Sequence, residues 1–353
     1  MTVTVGVIGC GSISRFHFAG IEKYGARVKW VCDLNPAAAQ PYAGKFSAAY
    51  TADYREILAD PEVKAVFVNV ISSLHKEMCL AAIQAGKAVI CEKTLATNAD
   101  DALEIVRLAE KKGTIFYTSY MKRFIPAVVK AKELMPSLET IFSTYIRTYQ
   151  PWGPIWETTP TEGFFYTPPG GSSTVVKNYG GGVLVCGGSH ILDLTVFFLG
   201  RPTRLFATMF TPEGRDYDLL ASALMQTSNG VVHWEAAGHP LTRIGFHRDG
   251  WDKRIEINGT RGRLEILSAK WDEVFHKDSL LIHYDNTSGA VTEYRYSPGS
   301  PFDRAVAFFL SNIEQGTQGT QSRLTGYDVD ELIAHINLSA RTGKAVDIDW
   351  RIR

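Results

Sequence analysis

The sequence has no surplus of charge of either sign. Lys plus Arg and Asp plus Glu each total 37 in 353 residues, and no basic run or basic helix stands out, so the electrostatic footprint of a nucleic-acid or membrane-surface binder is missing. Cysteine is scarce: Cys10, Cys32, Cys79, Cys91 and Cys186 are odd in number and lack C-x-x-C spacing, which argues against a disulfide framework and a structural zinc site. No apolar run reaches the length of a membrane span, and the first strand starts so close to Met1 that no room is left for a signal peptide. Repeats and low-complexity linkers are missing too. These absences leave a cytoplasmic protein as the expectation, with a small molecule as its partner. What is abundant agrees. A hydrophobic content of 45%, with 15 Tyr and 18 Phe, belongs to a chain with packed cores, and 353 residues suit two domains better than one.

The apolar run from Val3 to Ile8 reads as a buried parallel strand. Gly9 and Gly11 then allow a tight turn and a close backbone approach before a helix expected to begin near Ser12. With Ser14 they match the dinucleotide fingerprint G-x-G-x-x-G/A, in which a helix N-terminus receives a pyrophosphate through its unpaired amides and its dipole. A glycine-rich turn without a ligand looks the same, so the second strand carries the decision. The run Arg27 to Cys32 leads into Asp33, 19 positions after Ser14, where a carboxylate accepts hydrogen bonds from the adenosine ribose and repels a 2'-phosphate. No Arg follows in Leu34-Asn35-Pro36, so NAD is favoured over NADP. An ordinary helix-capping or turn Asp before Asn35-Pro36 is the plainer alternative.

Strand and helix patterns alternate up to about Tyr120, which means a Rossmann doubly wound parallel sheet with ligands beyond the carboxyl ends of its strands. Glu92 and Lys93 lie at such an end. After Tyr120 come a helix near 125–135 and alternating runs at 140–148, 204–210, 218–226, 231–237, 253–258, 263–267 and 280–284, followed by helices near 302–315 and 328–342. This is the pattern of an α+β domain with a large, predominantly antiparallel sheet, helices on one face, and hairpin turns at Ser228-Asn229-Gly230 and Asn258 to Gly262. The expected domains are therefore 1–120 for NAD and 121–353 for substrate binding and oligomerisation. Between Pro151 and Gly182 lies a long loop carrying Trp152, Trp156, Phe164, Phe165 and Tyr166. Loops of this length are usually lids or binding elements. Aromatic faces suit a sugar or cyclitol, and a subunit contact would suit them equally.

The glycine-led helix after this loop places Cys186, His190 and Asp193 four and three residues apart, on one helical face. A histidine on an apolar helix is more often a satisfied core residue than a catalyst. His233, His239 and His247, with Glu235, lack the usual ligand spacing, so no metal is expected.

Several stretches together resemble the glucose-fructose oxidoreductase and inositol dehydrogenase (Gfo/Idh/MocA) family over nearly the whole chain. Ser72-Ser-Leu-His75 followed by Ala81-Ala-Ile-Gln-Ala-Gly-Lys-Ala-Val-Ile-Cys-Glu-Lys93 is similar to the family's H-x-x-x-x-x-x-A-x-x-x-G-K-x-V-x-x-E-K-P. Met121-Lys-Arg-Phe-Ile-Pro126 is similar to M-R-R-x-D-P, and Gly250-Trp-Asp-Lys-Arg-Ile-Glu-Ile-Asn-Gly259 to G-Y-D-x-R-x-E-V-x-G. The resemblance implies that Lys93 and His190 are the active-site lysine and histidine. A lysine serves as a base where burial and a positive nicotinamide ring disfavour a charged amine. The expected cofactor contacts are Gly9, Gly11, Ser12, Ile13, Asp33, Ser72, His75, Glu92 and Lys93. The expected substrate contacts are Lys93, Arg123, Trp152, Trp156, Cys186 and His190.

Two departures matter. The family's D-x-G-x-H has Cys186 in place of its Asp, and a thiol cannot hold a histidine or a sugar hydroxyl as a carboxylate does. The family proline after the lysine is Thr94, which would reshape the lysine loop or add a hydroxyl to the site. The implied activity is NAD-dependent oxidation of a secondary hydroxyl of a sugar, sugar derivative or cyclitol. An NAD-dependent glycosidase that oxidises its sugar transiently and a non-catalytic sensor remain as alternatives. A homodimer or homotetramer through the open face of the second sheet is implied as well.

Overall fold

The computed structural model describes residues 2–268 and 277–352. Two units are distinct: Met1–Met121 with Phe302–Asp330, and Lys122–Pro301 with Glu331–Arg353. In the first, six short strands form one parallel sheet in the order β3-β2-β1-β4-β5-β6. They are β1 (Thr4–Ile8), β2 (Arg27–Cys32), β3 (Ala49–Thr51), β4 (Ala65–Val68), β5 (Ala88–Cys91) and β6 (Phe116–Thr118). Every residue of β4 and β5 is buried, as continuous apolar runs in a sheet covered on both faces must be. The crossovers carry α1 (Ser14–Tyr24), α2 (Pro36–Phe46), α3 (Tyr54–Ala59), α4 (Ser72–Gln84) and α5 (Ala99–Lys112). Strand order reverses between β1 and β4, which places the ligand crevice outside their carboxyl ends. Asn35, Asp53 and Asn98 cap α2, α3 and α5, whereas α1 and α4, which begin beside that crevice, have no side-chain cap. No side chain thus caps the N-terminal turns of these two helices, where a ligand's anion would be received.

The second unit holds nine strands in the order β14-β13-β12-β11-β7-β10-β9-β8-β15. They are β7 (Ile141–Pro151), β8 (Arg204–Phe210), β9 (Leu220–Thr227), β10 (Gly230–His239), β11 (Asp252–Gly259), β12 (Gly262–Ser268), β13 (Leu280–Asp285), β14 (Val291–Arg295) and β15 (Val346–Asp347). Neighbours are antiparallel except β7 and β10, which run parallel. Alternation in the sequence finds β7 to β13 and misses β14 and β15. Those are the edge strands, one largely exposed and the other two residues long, so neither shows a buried period of two.

Helices α6 (Pro126–Leu134), α7 (Thr174–Tyr179) and α8 (Ser189–Leu199) belong to this unit. A π-helical turn, Leu184–Gly188, runs into α8, and Gly187 and Gly188 let it approach the sheet: a Cβ on the first would overlap Gln150, and on the second would stand 2.9 Å from the Trp234 ring. Contrary to expectation, the helical run Thr174–Leu199 is 26 residues long and apolar enough by composition to cross a membrane, but 78% of its apolar window is buried inside the protein. A helix packed on most sides in a core has the same composition. On the opposite face of the sheet, Phe142, Tyr145, Phe206 and Leu224 are between 41% and 56% exposed.

Two further helices, α9 (Pro301–Gln315) and α10 (Thr325–Thr342), follow the sheet. Phe302–Asp330, assigned from the sequence to the second domain, lies in the first unit. The reason is the apolar face of α9, where Phe302 stacks on Phe16 at 4.8 Å and Phe309 on Tyr117 at 4.7 Å. Periodicity shows that a helix has a covered face without showing what covers it.

Candidate active site

Gly9 closes β1 with φ +92°, and a Cβ there would lie 2.7 Å from the Asn69 carbonyl oxygen, so both conformation and neighbour require glycine. At Gly11 a Cβ would meet nothing within 4 Å, which leaves the space above it to a ligand. Ser12 is exposed beside it, and Ile13 holds the N-cap position without a side-chain bond. The helix begins at Ser14 rather than Ser12. The Ser14 hydroxyl donates to the Gly9 carbonyl at 2.7 Å, so the third fingerprint position fastens loop to helix.

Asp33 Oδ2 accepts the Cys10 amide and Oδ1 the Asn35 amide, each at 2.8 Å. These bonds fix the carboxylate at the end of β2 and leave each oxygen another lone pair. Capping α2 falls to Asn35, which accepts the Ala37 amide at 3.1 Å, so the capping half of the plainer reading of Asp33 does not hold, while its turn half does: the bond from the Asn35 amide closes an Asx turn. Asn69, which the sequence reading did not single out, follows β4 at 4% exposure, and neither atom of its carboxamide has a partner among the described residues. An unmet buried polar group costs about 1–3 kcal/mol, so this amide is poised for a ligand. Its only signal in the sequence is a polar residue ending the apolar run of β4. The open cradle at Gly11, the uncapped helices and the fixed carboxylate fit a dinucleotide.

The chain leaving β5 places Glu92 and Lys93 at the same edge. Glu92 is buried, with Oε1 2.7 Å from His17 Nε2 and Oε2 accepting the Lys93 amide at 3.1 Å. Burial alone would raise its carboxyl, but the hydrogen bond and charge of His17, with the charge and amide of Lys93, hold it below the ordinary carboxylate range. Both oxygens are engaged within the protein, so the Glu92 side chain ties α1 to the amide of the lysine segment. His75 is tied within the protein in the same way. It is fully buried, with Nδ1 2.8 Å from the Thr94 carbonyl oxygen and Nε2 3.1 Å from that of Val70. Burial pulls its pKa below the usual imidazole value against the upward pull of those carbonyls and of Glu92. Ser72 opens α4, its hydroxyl 3.4 Å from that of Thr94. Thr94 is 2% exposed and turns its hydroxyl inward. The Lys93–Thr94 peptide is cis.

In the second unit the π-helical turn alters the spacing argument. Cys186 sits within that wider turn, while His190 and Asp193 share α8. Asp193 is fully buried, and its carboxylate accepts from Arg123 Nε at 2.9 Å to each oxygen and from Nη2 at 2.6 Å. Arg123, expected at the substrate, is thus a bidentate tie between the segment preceding α6 and α8, and its guanidinium also lies 5.1 Å from the Phe197 ring centre.

The loop tryptophans are also engaged. Trp152 covers Gly238, where a Cβ would overlap its ring, and packs with Phe165 and Cys186 against Ile155, Val175, Tyr217 and Leu219. Trp156 stacks on Phe210 at 4.7 Å and donates Nε1–H to the Gly238 carbonyl. Both indoles hold the loop to β10. Asp218 escaped notice in the sequence. It is buried and accepts the Gly182 amide at 2.9 Å and the Leu184 amide at 2.8 Å, capping the helical run that leads through Cys186 to His190. Burial pushes its pKa up to about 6 against those amides. A cap supplied from a distant segment leaves no local pattern. His233 stacks on Tyr145, His239 accepts the Leu241 amide, and His247 Nε2 lies 2.9 Å from the Asp278 carbonyl oxygen. Among the described residues no three His, Cys, Asp or Glu are grouped to hold a metal ion.

Residues 3–120 match the family model of the Gfo/Idh/MocA oxidoreductases with their NAD-binding Rossmann fold, and residues 159–265 match the model of the Gfo/Idh/MocA C-terminal domain. The chain belongs to the Gfo/Idh/MocA family. It is 35% identical over 276 residues to inositol 2-dehydrogenase 2 of Saccharopolyspora erythraea, covering 75% of this chain and 74% of that one. It is 26% identical over 302 residues to D-xylose 1-dehydrogenase (NADP(+)) 2 of Haloferax volcanii, covering 84% of each. In fold it is similar to levoglucosan dehydrogenase solved with NADH and levoglucosan, with a TM-score of 0.82 at 21% identity over 99% of this chain and 100% of that one. As a Gfo/Idh/MocA member the chain is an NAD-binding oxidoreductase, and its first unit is the NAD-binding Rossmann domain.

Proposed function

We propose that the chain is a cytoplasmic NAD-linked dehydrogenase oxidising a secondary hydroxyl of a sugar, sugar derivative or cyclitol. One observation carries the reading. Lys93 stands at the carboxyl edge of the parallel sheet, its amide fixed by Glu92, in the unit whose Gly9–Gly11 cradle fits a dinucleotide. The inositol, xylose and levoglucosan named for the relatives supply the substrate class. NAD, when bound, supplies the hydride acceptor. Gly9, Gly11 and the first turn of α1 receive its pyrophosphate, Asp33 its adenosine ribose, and Asn69 and the first turn of α4 offer further polar groups. The Lys93 amine accepts the proton that the substrate hydroxyl loses, and His190 hydrogen-bonds the reacting oxygen. Screening sugars and inositols with NAD tests the reading, and NADH is expected to accumulate with at least one. Cleavage of a glycosidic bond without net NADH would instead mean transient oxidation. Failure of every compound, with NAD still bound, would count against sugars and inositols as the substrate class and in favour of the remaining alternative, a ligand sensor.

The cofactor preference is tested at Asp33. Because Asn35 caps α2, the arginine for a 2'-phosphate belongs at Leu34, which is 85% exposed. Asp33→Ser with Leu34→Arg replaces a repelling carboxylate by a charge-assisted donor worth about 1.5–3 kcal/mol, so the NADP-to-NAD ratio of kcat/KM is expected to rise about tenfold or more. An unchanged ratio would remove Asp33 from the site.

The open face of the second sheet is assigned to self-association. Register places Phe206, Leu224, His233 and Tyr145 in one row across β8, β9, β10 and β7, a large apolar stripe for a surface left to water. A homodimer or homotetramer is expected in sedimentation, and Leu224→Glu is expected to shift it to smaller species. A wild-type monomer at micromolar concentration would refute the assignment.

A further inference from the structure

His17 lies on α1, outside the lysine segment, yet it is joined to that segment through Glu92. It is fully buried. Its ring is confined by Phe67 of β4 at 5.5 Å and by the edge-on ring of Phe302 of α9 at 5.6 Å. From that fixed position Nε2 meets Glu92 Oε1 at 2.7 Å, and Glu92 Oε2 takes the Lys93 amide at 3.1 Å. A carboxylate bonded through only one oxygen can turn about its side-chain torsions; bonded through both, it fixes the backbone atom it holds. On the far side His75 Nδ1 holds the Thr94 carbonyl. The Lys93-Thr94 segment is therefore held at its first N–H and its last C=O.

The geometry points to His17 as a positioning residue for Lys93, acting through Glu92, so that the helix expected to receive the pyrophosphate also sets where the amine stands. The inference rests on the proposed role of Lys93, and its reach is geometric: displacement of a reacting group by about 1 Å costs on the order of 100-fold in rate.

The test compares His17→Gln with His17→Asn in the full chain. Both are polar and uncharged, but only the glutamine amide reaches the position of Nε2, and asparagine falls one methylene short. In hydrogen exchange followed by mass spectrometry, the Lys93 amide is expected to exchange about tenfold or more faster in His17→Asn and within about threefold of wild type in His17→Gln. Protection of α1 and the dissociation constant of NAD, measured by fluorescence titration, are expected to stay within about threefold in both, since Gly9, Gly11 and Asp33 are untouched. With a substrate found in the screen, kcat is expected to fall about 100-fold in His17→Asn alone, with KM little changed. Equal behaviour of the two variants, or loss of NAD binding in step with turnover, would overturn the inference. A dead Lys93→Met beside a normal His17→Asn would sink only this inference. A fully active Lys93→Met would sink the role of Lys93 itself, whatever exchange at its amide showed.

Discussion

In Lys93→Met, turnover is expected to fall by about 100- to 10,000-fold while NAD still binds. Methionine keeps the length and apolar stem of lysine and deletes the ammonium. The backbone is expected to stay in place, because the substitution leaves the Lys93 amide that Glu92 holds at 3.1 Å. The groups assigned to NAD, namely Gly9, Gly11 and Asp33, are elsewhere on the edge of the sheet. The loss belongs in kcat if the amine acts chiefly in the transition state, and KM is expected to move little. Steady-state kinetics with the substrate found in the screen, set beside fluorescence titration of NADH, separates the two. His190→Ala is expected to be severe as well. Cys186→Ala is expected to be mild, since the thiol packs beside Ile155, Val175, Tyr217 and Leu219 and its S–H is directed at the nearby Gly181 carbonyl. If Cys186→Ala abolished turnover while Lys93→Met left it near normal, the catalytic centre would have to be rebuilt around the π-helical turn.

What was legible in the sequence follows from the range of each interaction. Gly9, Gly11 and Asp33 are readable because strand, turn and acid form one local unit, and the structure adds only that Ser14 fastens the loop. Lys93 is readable from a run whose strand and helix ends are local too. The contacts of Arg123, Glu92 and His75 are not. Each belongs to a recognisable motif, but what its side chain touches depends on a partner far along the chain: Asp193, His17 and Thr94. A motif places such a residue near the site without saying whether it faces the ligand or the frame that holds it. The π-helical turn was illegible for another reason, since Gly187 and Gly188 serve close packing on Gln150 and Trp234 and look in the sequence like ordinary flexibility. The aromatic loop shows the same limit. Its composition suited a sugar, yet Trp152 and Trp156 face Gly238 and Phe210.

The contrast between frame and ligand is sharpest at Asp193 and Arg123, and there the expected effect on stability is largest. Asp193 is fully buried and Arg123 is 12% exposed; three contacts of 2.6 to 2.9 Å join them. Asp193→Ala leaves the guanidinium desolvated and unpaired, and breaking a buried pair from one side costs about 3–5 kcal/mol. Because His190 sits one turn earlier on α8, catalysis is expected to suffer along with stability. Replacing both partners by apolar residues of similar size, Arg123→Met with Asp193→Leu, removes the charge that had to be paired and is expected to recover most of the loss. The measurement is the urea midpoint at unchanged slope, so that the shift reports stability and not a change in the unfolded state. The double variant also settles what Arg123 is for. If the arginine only ties α8 to the segment before α6, restored stability brings kcat and KM back toward wild type. If the double variant is stable but its KM has risen by about tenfold or more, the guanidinium was holding substrate after all, and a lost charge-assisted hydrogen bond of about 1.5–3 kcal/mol accounts for the rise. In that case the salt bridge would be the resting arrangement of a group that also binds.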